Sequence, residues 1–162
     1  MDLLITHIKE NQLASMQQHG FTGGKSTVTN LLEALNIWTE ALMHDLPLDV
    51  IYLDYAKAFD SVPHQRLLKQ LESLGLTNKA LKWIAAFLEG RRQKVIVNGA
   101  ESEWREVLSG VPQGSVLGPI LFTMFVCDIP GSISSLASMF ADDTKIYTAL
   151  TAPNTRKHYR KI

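Results

Sequence analysis

Asp142 and Asp143 stand side by side in Ser138-Met139-Phe140-Ala141-Asp142-Asp143-Thr144-Lys145-Ile146-Tyr147, at the turn between two apolar, strand-like runs. Two carboxylates at close range each disfavour the other's ionisation, so such a pair calls for a compensating cation. A hairpin tip that presents both suits a divalent metal, and a third acid at the end of another strand would complete the donor set. Asp49-Val50-Ile51-Tyr52-Leu53-Asp54 is a β-rich run ending in such an acid, Asp54. Turn chemistry alone also explains an Asp-Asp pair, because aspartate bonds its own backbone and tolerates tight geometry. Taken singly, neither segment chooses between these explanations.

Between the acids lies Leu108-Ser109-Gly110-Val111-Pro112-Gln113-Gly114-Ser115-Val116-Leu117-Gly118-Pro119-Ile120-Leu121-Phe122. One reading is a loop feeding a buried helix, with Gly110, Pro112 and Gly114 as turn residues and Ser115 as the cap. The other is a backbone that approaches a flat ligand, with small side chains beside one polar probe, Gln113.

The elements that must position these residues follow from periodicity and caps. Over residues 25 to 43, Val28, Leu31, Leu35, Trp38 and Leu42 fall on one helix face, with Ser26 or Thr22 able to cap it. Pro47 ends that helix before the strand to Asp54. A second helix runs from Pro63 to Leu74 with Gly75 as its stop, and a third from Thr77 to Phe87 with Gly90 closing it. Gln93 to Asn98 and Trp104 to Leu108 read as a β pair around Asn98-Gly99, with a loop longer than two residues. Ser115 to Cys127 reads as a buried helix and 136 to 148 as the aspartate hairpin. Asp60, ahead of Ser61-Val62-Pro63, fits helix capping better than a metal site. The fold expected is α+β, a small antiparallel sheet with helices packed on one face.

Composition sets bounds. The chain has 162 residues, ample for one domain with a proper core, and is 46% hydrophobic and 20% charged. No apolar run approaches the ~18 residues of a membrane span, and no signal peptide is legible at the N-terminus. The single cysteine, Cys127, excludes an internal disulfide. Net charge is zero, but Arg156, Lys157, Arg160 and Lys161 give the last twelve residues +4, which leaves the first 150 at −4. Nucleic-acid binders carry a basic excess more often than not. Metal-bound acids account for part of the deficit, since the cation supplies the missing charge. Thr22-Gly23-Gly24-Lys25-Ser26 fails as a phosphate loop because His19 occupies the position of the first glycine.

Three segments in order, Tyr52-Leu53-Asp54-Tyr55-Ala56-Lys57-Ala58-Phe59-Asp60, Ser109-Gly110-Val111-Pro112-Gln113-Gly114-Ser115 and Phe140-Ala141-Asp142-Asp143, resemble the palm of a reverse transcriptase. The likeness is to non-LTR, LINE-type retrotransposons of the jockey-like lineage. Gln18-His19-Gly20-Phe21, followed by Lys25-Ser26-Thr27, looks like the finger-side segment of that family. The resemblance implies residues 1–48 as partial fingers and 49–150 as palm core; it stops there, and the basic residues of 151–162 read as a solvated or disordered tail.

It further implies an RNA-directed DNA polymerase acting on an RNA template, a DNA primer and deoxynucleoside triphosphates. Asp54, Asp142 and Asp143 would hold two Mg²⁺ ions, with Mn²⁺ as substitute, and Tyr55 would add a backbone ligand. Phe59 would stand at the gate that rejects a ribose 2′-hydroxyl, though a core phenylalanine is the plain alternative. Gln113 and Gly114 would meet the incoming nucleotide and template base, though turn roles also fit. Relatives carry a thumb and usually an endonuclease domain as well, work in nucleus and cytoplasm, and have no membrane partner. The 162-residue chain by itself is therefore expected to extend a primer negligibly, and a catalytically silent remnant that keeps the palm fold and binds RNA or protein is the rival.

Overall fold

A computed structural model describes residues 2–11 and 13–149. The basic tail therefore lies outside the described residues. These residues fall into two compact units, each discontinuous in sequence: residues up to 13 with 56–126, and 14–55 with 127 onward.

The second unit holds the aspartates. Its helix, α2 (Thr27–Met43), starts at Ser26 through a reciprocal capping box. The Ser26 hydroxyl accepts from the Thr29 amide at 3.2 Å, and the Thr29 hydroxyl accepts from the Ser26 amide at 2.9 Å. Strands β1 (Leu48–Leu53), β6 (Leu136–Phe140) and β7 (Asp143–Ala149) form an antiparallel sheet in the order β1-β7-β6.

Register sorts this sheet into two faces. Met139 pairs with Thr144 and Ala137 with Ile146, and these four are buried. Ser138 pairs with Lys145, and Lys145 with Tyr52, on the face where α2 packs across β6. The helix does not bury the apolar stripe that its sequence advertises. Val28, Leu31, Leu35 and Leu42 are each at least 50% exposed, while Asn30, Ala34 and Ala41 are buried. Small residues on that side let the helix backbone come close to the strand, and Asn30 finds polar partners there.

In the first unit, α1 (Asp2–Glu10), α3 (His64–Ser73), α4 (Asn78–Leu88) and α5 (Leu117–Phe125) are the helices, with α3 packed on both α4 and α5. Leu67, Leu71, Ile84, Leu88 and Leu121 are buried to 1% exposure or less and form the core of these helices. Gly75, at φ 83°, ends α3 in the left-handed region, with the Leu76 amide donating to the Leu71 carbonyl.

The expected long hairpin loop is corrected. Asn98 and Gly99 have φ of 50° and 82° and form a two-residue turn between β3 (Ile96–Val97) and β4 (Ala100–Glu101). Positive φ at both positions is the type I′ geometry whose twist suits a tight hairpin. The ladder then breaks and resumes as β2 (Arg92–Gln93) with β5 (Arg105–Glu106). Asp60 does not cap α3 either, since Pro63 occupies the cap position without a side-chain bond. Among the described residues no helix is long and apolar enough to cross a membrane.

Candidate active site

The β1–β7 ladder ends at the pair Leu53↔Thr144, so the next step along each strand sets Asp54 opposite Asp143. Both line one cleft of about 320 Å³, together with Thr27, Asn30, Tyr52 and Lys145. Phe140 pairs with Asp143, which leaves Ala141 and Asp142 as a two-residue turn. Ala141 has φ 57° and Asp142 does not share that region, the sign pattern of a type II′ hairpin turn.

Asp54 and Asp143 are exposed and Asp142 is half-buried at the turn. Thus the structure brings Asp54 and Asp143 to one cleft, with Asp142 adjoining in sequence. Among the described residues, no three or more His, Cys, Asp or Glu side chains form a group able to hold a metal ion. The chemistry of the donors is hard carboxylate oxygen, which fits Mg²⁺ or Mn²⁺ and does not select soft metals.

A cation shares the cleft. Lys145 follows Asp143 by two residues on the same strand face, and its ammonium donates to the Asn30 side-chain oxygen at 2.8 Å. The Asn30 amide donates to the Ser138 hydroxyl at 2.7 Å, and Ser138 donates to Glu33 at 2.6 Å. His19 joins the same chain through Glu33 at 2.9 Å and Thr29 at 2.8 Å. Asn30 is only 4% exposed, so each of these bonds spares a polar group the cost of burial unpaired.

Tyr147 lies on this face. Among the described residues its hydroxyl has no hydrogen-bond partner within bonding distance, although the side chain is 1% exposed. Burial pushes the phenol up to about 12, and the nearby Tyr52 and Glu33 add to the rise, while the neighbouring Ser138 hydroxyl opposes it. The sign follows directly. The native phenol stays neutral where the unfolded one, at 10.0, ionises. Its contribution to stability is complete below pH 10 and is lost as pH rises toward 12. Tyr147→Phe removes an unsatisfied buried hydroxyl, so urea unfolding at neutral pH will show unchanged or higher stability, by up to about 1 kcal/mol. The variant will also lose part of the alkaline decline.

The other sequence candidates sit as follows. Tyr55 is 42% exposed, next to Asp54. Phe59, in the first unit, is half-buried and stacks on Phe122 with centroids 4.2 Å apart and planes 14° apart. Gln113 is exposed and donates to the Asp60 carboxylate at 2.9 Å. Gly114 has φ 77° and open space where a Cβ would project. Its backbone is therefore accessible to an approaching group. Ser115 accepts from the Gly118 amide at 2.9 Å, the bond of a helix cap, although α5 itself begins at Leu117.

Residues 2–162 match the family profile described as reverse transcriptase (RNA-dependent DNA polymerase). The chain belongs to the reverse transcriptase family. It is 35% identical over 142 residues to the RNA-directed DNA polymerase from mobile element jockey of Drosophila funebris, covering 83% of this chain and 15% of that protein. It is 36% identical over 146 residues to the probable RNA-directed DNA polymerase from transposon X-element of Drosophila melanogaster, covering 86% and 16%. These relatives place it among non-LTR, LINE-type reverse transcriptases, and the chain spans about 15% of their length. The fold matches telomerase from Candida tropicalis in complex with a fragment of telomeric RNA, with a TM-score of 0.71 at 14% identity over 98% of this chain and 29% of that one. That likeness carries the reverse transcriptase fold.

Sequence reasoning missed Asn30 and Lys145 as neighbours of the aspartates. Strand alternation from Asp143 already puts Lys145 on the same face, a signal strong enough to have been used. Asn30 carried none, since one polar residue inside a helix reads as exposed.

Proposed function

We propose that this chain carries the catalytic palm of an RNA-directed DNA polymerase, with 1–48 as part of the fingers and 49–150 as the palm core. The substrates on this reading are an RNA template, a DNA primer and deoxynucleoside triphosphates. Asp54, Asp142 and Asp143 hold two divalent ions, Mg²⁺ or Mn²⁺. The observation that carries the reading is Asp54 and Asp143 lining one cleft across the end of the β1–β7 ladder.

When bound, two such ions supply activation of the primer 3′-hydroxyl and charge stabilisation at the leaving pyrophosphate. The chain's own residues do the rest. Asp54 directly follows the last paired residue of β1, and Asp143 begins β7 paired with Phe140, so both carboxylates stand at the ends of paired strands. Lys145, tied to Asn30, lines the same cleft as Asp54 and Asp143 and brings a cationic side chain into it. Gly114 offers its backbone without side-chain obstruction, and Gln113, held by Asp60, offers a polar edge for an incoming nucleotide.

Phe59 serves two ends on this account, packing against Phe122 and excluding a ribose 2′-hydroxyl. Phe59→Ala is expected to cost about 2 kcal/mol, less than a fully buried ring because it is half-exposed. Single-nucleotide incorporation by the same variant is expected to show raised ribonucleotide use. Lower stability with unchanged sugar discrimination would leave Phe59 a packing residue alone.

The function is tested in a chimera, with this chain replacing the matching segment of a full-length jockey-type polymerase. Extension of a DNA primer on an RNA template that is metal-dependent and lost on chelation supports the reading. A chimera that folds, binds template and extends nothing would favour the silent remnant.

A further inference from the structure

We propose that Gln18 is a positioning residue for the aspartate turn, fixing the backbone of Ala141 and through it the direction of the Asp142 and Asp143 carboxylates. The proposal rests on those aspartates being metal ligands, and it assigns a role to a side chain well separated from them in sequence.

Ala141 is a turn residue, so neither its amide nor its carbonyl has a ladder partner across the hairpin. Gln18 supplies both. Its side-chain oxygen accepts from the Ala141 amide at 2.8 Å, and its side-chain nitrogen donates to the Ala141 carbonyl at 3.0 Å. The same oxygen accepts from the Gly20 amide at 2.7 Å, which fixes the rotamer. Gln18 is 3% exposed, so bulk water does not compete for this side-chain amide.

The segment that carries Gln18 is itself fastened to β6. The His19 amide donates to the Met139 carbonyl at 2.8 Å, and the Met139 amide donates to the Gln17 carbonyl at 2.8 Å. Gly20 then passes so near the turn that a Cβ on it would stand 2.3 Å from the Ala141 nitrogen. Only glycine permits that approach.

The clamp has something to hold. Ala141 sits at φ 57°, where a Cβ is disfavoured and the residue would relax if its amide and carbonyl were freed. Asp142 is the next residue, so any relaxation at Ala141 swings its carboxylate and shifts the start of β7 at Asp143.

The test is an Mn²⁺ titration of the isotope-labelled 162-residue chain, following paramagnetic broadening of the Asp142 and Asp143 amide signals, with thermal unfolding in parallel. In the native chain these signals broaden first, and Asp142→Asn weakens the effect. In Gln18→Leu the Mn²⁺ concentration required rises about tenfold, the scale of lost hydrogen bonds. Adding Ala141→Gly to that variant recovers most of the loss, because glycine takes a positive φ without strain. A residue with a merely structural role would lower the unfolding temperature and leave the Mn²⁺ midpoint alone, and that result overturns the proposal.

Gln18→Asn, one methylene shorter and still polar, carries the same test should the leucine variant not fold. It too must raise the Mn²⁺ midpoint, and native-like binding there rejects the clamp while leaving the aspartates as ligands. Absence of hairpin broadening in the native chain, or its persistence in Asp142→Asn, rejects the ligand assignment and the clamp with it.

Discussion

Asp54→Asn and Asp143→Asn will each lower primer extension by the chimeric polymerase on the order of a hundredfold or more, the cost of removing one preorganised electrostatic partner of the transition state. Neither change will destabilise the fold. Both side chains are exposed, and neither makes an ion pair among the described residues. Neutralising one member of a like-charged cluster relieves repulsion, so the unfolding temperature will hold or rise slightly. Loss of activity with gain of stability is the signature of a residue kept for chemistry. A fall in both together would mean that the aspartates act as turn residues and that the catalytic assignment is wrong.

Gly110→Ala will have the largest effect on stability. Gly110 has φ 87°, where a side chain is strained, and a Cβ would meet the Asp60 backbone at 2.6 Å. Backbone cannot yield as a flexible side chain can. The same residue is tied at both ends: its amide donates to the Val62 carbonyl at 2.8 Å, while its carbonyl receives Arg91 at 2.6 Å and lies 2.9 Å from the His64 ring nitrogen. Strain, overlap and loosened hydrogen bonds together should exceed about 3 kcal/mol, a large share of the stability of a small domain. Gly114→Ala is the internal control. It shares the positive φ, at 77°, but meets nothing within 4 Å, so its cost should be near 1 kcal/mol. Urea unfolding of the two variants that gave equal losses would contradict the close packing of Gly110 on Asp60.

The difference between these glycines marks where sequence reading ends. Both read as turn residues in the same loop, and only the distance to Asp60 separates them. Local signals were legible: the Ser26 cap, the Gly75 stop and the aspartate hairpin are each written in a few adjacent residues, and the structure carries all three. So was the end of β1, because Asp54 closes a β-rich run. The inward side of α2 was not legible. Its leucine spacing is a sound helical signal, yet Asn30 and two alanines face the sheet, because close approach to β6 and a polar tie to Ser138 decide the orientation. Asp60 stands where the sequence favours a helix cap, yet its side chain instead accepts from Gln113, 53 residues away. Gln18 belongs to a legible motif, but nothing local says that its amide serves a turn 123 residues on. Pairings of that length belong to the fold and not to any window of sequence.

The measurement that bears most directly on the central claim is an anomalous difference map from crystals of the chimera soaked with Mn²⁺ and a deoxynucleoside triphosphate. The account predicts density in the cleft between Asp54 and Asp143, with oxygens of both carboxylates about 2.1 Å from a metal position. Metal bound elsewhere, or held by one of these carboxylates while the other turns away, would contradict it.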